Sequence, residues 1–200
     1  LLDLVQVAMF SDMRPAAEHV FRFGRQPLEA VRVVQTNTPA PGSDREKDLW
    51  SVFELRVYAD GREVERGPGW RVWASPNPWG AALAFDGSPV TRWRSWERIR
   101  AGMFLQAEFS GAVAADEVRL LMSQDQHGVQ MRLEGRPPGG GWRTLAPEPH
   151  VRGCAVPLTL RRMAARELRR GGVTHLLVHE QDFAWPDLSR NRRAWGLREI

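Results

Sequence analysis

From about residue 1 to residue 148, apolar and polar positions alternate with a period of two. Phe53, Leu55 and Val57 alternate with Glu54, Arg56 and Tyr58, and the run stops at Ala59-Asp60-Gly61. Asp-Gly accepts the positive φ of a tight turn, so this is a hairpin signal. Leu105, Ala107 and Phe109 alternate with Gln106 and Glu108. Val118, Leu120 and Met122 share one face of the next run, and Val129, Met131 and Leu133 one face of another. Each run is short and closed by Gly, Pro, Asp or Ser. Such a series predicts an antiparallel β-sandwich in which each sheet buries one face. The clusters Pro39 to Ser43, Gly67 to Gly69 and Pro137 to Gly141 read as loops. The segment from Pro39 to Asp48 is polar enough to be expected mobile.

After Pro157 the period lengthens. Leu158, Leu160, Met163, Ala164 and Leu168 form a helical stripe backed by arginines, and Gly171-Gly172 stops it. Val173 to Val178 then reads as a buried strand, Pro186 to Arg190 as a short helix, and Trp195 to Ile200 as a further strand. The expected organisation is a sandwich over residues 1–150 and a small α/β appendage over 151–200.

Composition narrows the picture. The single cysteine, Cys154, excludes an internal disulfide and a cysteine-based zinc site. No apolar run is long enough to cross a bilayer. The chain opens on Leu1-Leu2-Asp3, without a start methionine or signal peptide, and is expected to be part of a longer protein. Its basic residues are arginine except for Lys47, and they are spread along the chain, whereas a nucleic-acid binder concentrates them on one face. Nine tryptophans matter more, because each serves either as large core filler or as a flat platform for a ligand.

The stretch Ala84-Phe85-Asp86-Gly87-Ser88-Pro89-Val90-Thr91-Arg92-Trp93-Arg94-Ser95-Trp96 carries the candidate chemistry. An Asp-Gly turn offers a carboxylate, a residue at ease with positive φ, and closely spaced carbonyls. Ala84, Asp86, Gly87, Thr91, Arg92, Trp93 and Ser95, followed by a strand such as Met103 to Phe109, resemble the discoidin family. These are coagulation-factor type C domains, akin to galactose-binding-like carbohydrate modules. The resemblance covers roughly residues 70 to 146 and implies a mainly β, jelly-roll sandwich. The family's closing strands are similar to Val31-Arg32-Val33-Val34 and Trp50 to Tyr58, which here precede the Asp-Gly turn. The order implies a circular permutation; the end of a preceding repeat is the alternative.

In calcium-holding members of the family, this turn and a glutamate of the closing strand wrap one ion. By that resemblance Asp86, Ser88, Thr91 and Glu54 form the calcium-site positions, with serine at 88 where the family often has an acid or an amide. Two carboxylates plus carbonyls suit calcium, which takes about six to eight oxygens. The alternative is that Asp86 caps its own turn and Glu54 pairs with an arginine.

Trp93, Trp70, Trp73 and Trp142 read as core. Trp79, in the loop-like Pro76-Asn77-Pro78-Trp79-Gly80, is the candidate to stack on a sugar ring, with Arg94, Trp96 and His127 lining the same rim. In a strand Arg92 and Arg94 face away from Trp93, so basic and aromatic groups do not form a shared nucleic-acid groove there. Catalytic patterns are missing: there is no Gly-x-Ser-x-Gly, phosphate loop or dinucleotide fingerprint, and His175 and His179 lack a zinc-protease context. The tail, with Ala164 to Leu168, Gly172 to Val178 and Trp195 to Leu197, is similar to the soluble C-terminal portions of bacterial membrane glycosyltransferases. Together these imply a non-catalytic saccharide-binding or substrate-positioning module, extracytoplasmic and tethered by a larger membrane protein. The competing expectation is a structural or protein-docking sandwich without a ligand.

Overall fold

The computed structural model describes residues 16–43, 46, 48–88, 91–123, 126, 129–154, 157–181, 185–190 and 192–198. Two strands of 20 residues each, β1 (Ala16–Gln35) and β7 (Phe104–Ser123), run antiparallel along almost their whole length and organise everything else. At one end they are flanked by β10 (His150–Cys154) and by β3 (Glu54–Ala59) with β4 (Arg62–Glu63), in the order β10-β1-β7-β3-β4. At the other end they are flanked by β8 (Met131–Arg136), β9 (Arg143–Ala146) and β5 (Arg71–Ser75), in the order β9-β8-β1-β7-β5.

The register of β1 on β7 shifts between Arg22 and Gln26 and again between Leu28 and Ala30. Extra residues of this kind bend a strand and sharpen its twist. The two ends therefore fold over each other as the layers of an antiparallel β-sandwich. Phe21, Leu55, Val118 and Leu120 from one layer share a continuous core with Val31, Val33, Leu105 and Leu133 from the other. The alternation expected along 105–109, 118–122 and 129–133 holds, with the apolar member of each pair inside. The β3–β4 hairpin turns at Asp60 and Gly61, with φ of 50° and 73°, as a two-residue Asp-Gly turn requires.

A separate two-stranded ribbon, β2 (Leu49–Val52) with β6 (Trp93–Arg98), closes one side of the sandwich. It buries Trp50 and Trp93 edge to face, ring centres 5.1 Å apart. Trp93 is core, as expected, and Trp70 packs on Phe109 at 4.6 Å. Trp142 is half-buried beneath the Arg32 guanidinium, 4.3 Å from its ring centre. Trp73 corrects the sequence reading. It is 57 % exposed, because β5 is an edge strand that turns Ala74 inward and leaves Trp73 on the outer face.

The tail carries helix α1 (Pro157–Arg170), followed by α2 (Trp185–Arg190) and α3 (Arg192–Trp195). Gly172, at φ 83°, ends α1, and the Val173 N–H donates to the Leu168 carbonyl at 2.9 Å. This is the left-handed stop that Gly171-Gly172 announces. Ala164, Leu168 and Trp195 are buried together against Phe53, with Leu121 at the margin, so the tail docks on the sandwich beside β3 and β7. Two expected strands differ: Val173 to Val178 joins no ladder among the described residues, and Trp195 closes a helix instead of opening a strand. Extended chain becomes a strand only where a partner satisfies its N–H and C=O groups. Among the described residues no helix is long and apolar enough to cross a membrane.

Candidate functional site

Glu54 opens β3 immediately after the bend at Phe53. The chain turns there, so Phe53 packs with the tail while Glu54 reaches the loop between the 3-10 turn Pro78–Ala84 and β6. Glu54 is only 3 % exposed. Its Oε2 lies 3.6 Å from the Arg56 guanidinium, and its Oε1 has no well-formed hydrogen-bond partner among the described residues. The Asp86 carboxyl is within hydrogen-bonding reach, and the Gly87 N–H points toward the same group.

This surrounding pushes the Glu54 carboxyl up to about 8. Burial is the main cause. Arg56 opposes it, while the charge of Asp86 and the hydrogen bond shared with Asp86 add to it.

The Asp-Gly turn is internally braced. Gly87 takes φ 74°, a conformation open to glycine at little steric cost. Asp86 Oδ1 accepts the Ser88 N–H at 2.9 Å, and Asp86 Oδ2 accepts the Thr91 hydroxyl at 2.6 Å. The Thr91 hydroxyl is also 3.0 Å from the Ser88 carbonyl. Glu54, Asp86 and Thr91, more than thirty positions apart in sequence at the extremes, thus converge. Asp86 caps its turn, Glu54 has an arginine beside it, and the two carboxyls meet. Ser88 reaches elsewhere. Its hydroxyl donates to the Glu167 carboxylate of α1, at 2.9 and 3.1 Å from its two oxygens.

The pair floors a groove of about 490 Å³ between the β3–β4 hairpin and the Asp-Gly turn. Arg56, Arg66 and Trp70 line its walls, and Arg66 donates to the Phe85 carbonyl at 2.9 Å. Sequence reasoning missed these three. Arg56 had a signal, because residues two apart on a strand share a face with Glu54. Arg66 and Trp70 sit in irregular chain and had none. No group of three or more His, Cys, Asp or Glu side chains converges as a metal cluster among the described residues. The oxygens at hand are two carboxylates, one hydroxyl and one carbonyl.

The candidate aromatic rim is divided between the 3-10 turn that carries Trp79 and strand β6. Asn77, at φ 58°, ties the loop ahead of Trp79 to this strand: its side-chain amide donates to the Arg94 carbonyl at 2.7 Å, and its own carbonyl accepts the Trp93 indole N–H at 2.9 Å. Trp79 is 88 % exposed and Trp96 64 % exposed. The Arg94 guanidinium lies 6.0 Å from the Trp96 ring centre. Trp93 and Ser95 point inward, and Trp96, at φ 56° where the β2–β6 register shifts, stands exposed near Arg94. His127 lies outside the described residues. His175 and His179 are exposed on the tail; His175 meets the Thr174 hydroxyl at 2.9 Å, and His179 Nδ1 accepts the Gln181 N–H at 3.1 Å.

Compared with protein-family models, with curated proteins and with solved structures, the chain finds no match.

Proposed function

We propose that the chain is a non-catalytic saccharide-recognition or substrate-positioning module, extracytoplasmic and carried by a larger bacterial envelope protein. The tail's resemblance points to a membrane glycosyltransferase as that parent. One observation carries the binding reading: Trp96 exposes a flat apolar face beside Arg94, Trp79 exposes another, and Asn77 anchors the loop ahead of Trp79 to the strand bearing Trp96 and Arg94. Large aromatic faces left in water at one edge of a sandwich, with a guanidinium to donate hydrogen bonds, suit a sugar ring, which offers an apolar face ringed by hydroxyls.

The reading includes a calcium ion as a clasp between β3 and the Asp-Gly turn. The orphaned, buried Glu54 Oε1 beside Asp86 is what a cation would satisfy. Glu54, Asp86, Thr91 and the Ser88 carbonyl would hold it, and its chemistry there is charge neutralisation. The contact between the two carboxyls speaks against a glycosidase pair in particular. A glycosidase pair stands about 5 Å or more apart, leaving room for the scissile bond.

The test is a glycan array followed by calorimetric titration of the strongest hit against wild type, Trp79→Ala and Trp96→Ala. Loss of about tenfold or more in affinity, roughly 1.4 kcal/mol, is expected for each variant. An array without hits, with and without calcium, overturns the reading. The tail favours a second reading, a protein-docking domain. There Leu168, Val173, Leu188 and Leu197 line a groove of about 1050 Å³ together with the fully exposed Leu177.

A further inference from the structure

The Ser88–Glu167 contact joins the tail to the turn through a residue that is bonded to both Asp86 and Thr91. The Ser88 hydroxyl donates to Glu167, its N–H donates to Asp86 Oδ1, and its carbonyl lies 3.0 Å from the Thr91 hydroxyl. Glu167 in turn is placed by α1, whose Ala164 and Leu168 pack with Trp195 against Phe53. Phe53 is the chain neighbour of Glu54. The tail helix therefore reaches the carboxyl pair from two sides: through Ser88 to Asp86, and through Phe53 to Glu54.

We propose that Glu167 is a positioning residue for the Glu54–Asp86 site, acting through Ser88, so that cation binding there and docking of the tail helix are linked. This rests on the calcium reading of the same site. The physical basis is that a hydrogen bond to a carboxylate is stronger than one between neutral groups, so Glu167 fixes the Ser88 hydroxyl. The Ser88 N–H and carbonyl belong to adjacent peptide units, and holding the residue between them holds the orientation of both. With Ser88 held, the Asp86 carboxyl and the Ser88 carbonyl keep their convergence on the Thr91 hydroxyl. Linkage is reciprocal: whatever docking contributes to ion affinity, the ion returns to docking. It also accounts for the serine at a position where the resemblance often puts an acid or an amide. The carboxylate comes from α1 instead, one hydroxyl removed.

The experiment uses the full chain, stripped with chelator and titrated with calcium chloride by calorimetry, and hydrogen exchange over residues 157–170 with and without calcium. Wild type, S88A, E167Q, S88A/E167Q and E54Q are compared. E167Q and S88A should each weaken calcium binding about fivefold, and the double variant no more than either, because both break one path. Calcium should slow exchange in 157–170 of wild type but not of the double variant, and E54Q should abolish binding. Calcium bound by E167Q as tightly as by wild type, or additive effects of the two substitutions, overturns the linkage and leaves the ion site standing. Wild type without calcium affinity removes the ion site and the linkage with it.

Discussion

Replacing Glu54 by glutamine should change the pH dependence of stability in metal-free protein, with a sign that follows from the structure. The Glu54 carboxyl sits at about 8 in the folded chain, against 4.5 for an ordinary glutamate. Below pH 4.5 it is protonated whether the chain is folded or not, and contributes no slope. Between 4.5 and 8 the folded chain keeps a proton that the unfolded chain releases. Stability must therefore fall as pH rises, by up to about 1.4 kcal/mol per unit. Above 8 both states are ionised and the loss levels off. Across the window the loss is of order 3–5 kcal/mol, a large share of the roughly 5–15 kcal/mol that holds a domain together. Glutamine keeps a neutral hydrogen-bonding group beside Asp86 but cannot ionise. Urea unfolding followed by tryptophan fluorescence, with chelator present and from pH 5 to pH 9, measures the difference between the two proteins. Contributions of groups not coupled to Glu54 cancel in it. E54Q should match wild type within about 1 kcal/mol near pH 5 and exceed it by several at pH 9. Parallel curves for the two proteins across that range would refute the assignment of Glu54 as a buried, proton-holding carboxyl.

The remaining predictions concern the packing around this site and the rim. Phe53→Ala should cost about 3–5 kcal/mol and free the tail, seen as faster proteolysis within residues 155–200. Gly80→Ala would place a methyl 2.8 Å from Asn77 Nδ2 and 3.3 Å from Trp93 Cδ1. It should displace Asn77 and reduce saccharide affinity severalfold without touching Trp79 itself, and unaltered binding by calorimetry would detach Asn77 from rim positioning.

Local pattern was legible wherever a residue's environment depends on its own strand. The Asp60-Gly61 hairpin, the inward faces of 105–109, 118–122 and 129–133, and the glycine stop of α1 all follow from neighbours a few positions away. What the pattern hid was continuity. Residues 110–116, SGAVAAD, alternate too weakly to look like a strand, yet they join two apparent strands into one. Pairing of 113–115 with β1 holds the stretch, and small Ala115 is buried in the core with Val113 packed against it. Trp73 misled for a related reason: a tryptophan in a strand looks like core until the strand proves to be an edge. Val173 to Val178 has the composition of a buried strand, but composition cannot supply a partner. As for the site, no periodicity connects Glu54 with Asp86; the expectation that they meet came from resemblance, and the structure brings them together. Glu167 was beyond reach, since it depends on where the tail docks.

The two long strands carry a consequence for how this molecule comes apart. Each belongs to both layers, so neither layer can melt and leave the other intact. Unfolding should be a single event rather than a peeling of one sheet from its mate. One cut at exposed Gly111, midway along β7, would break the covalent link that this strand makes between the layers.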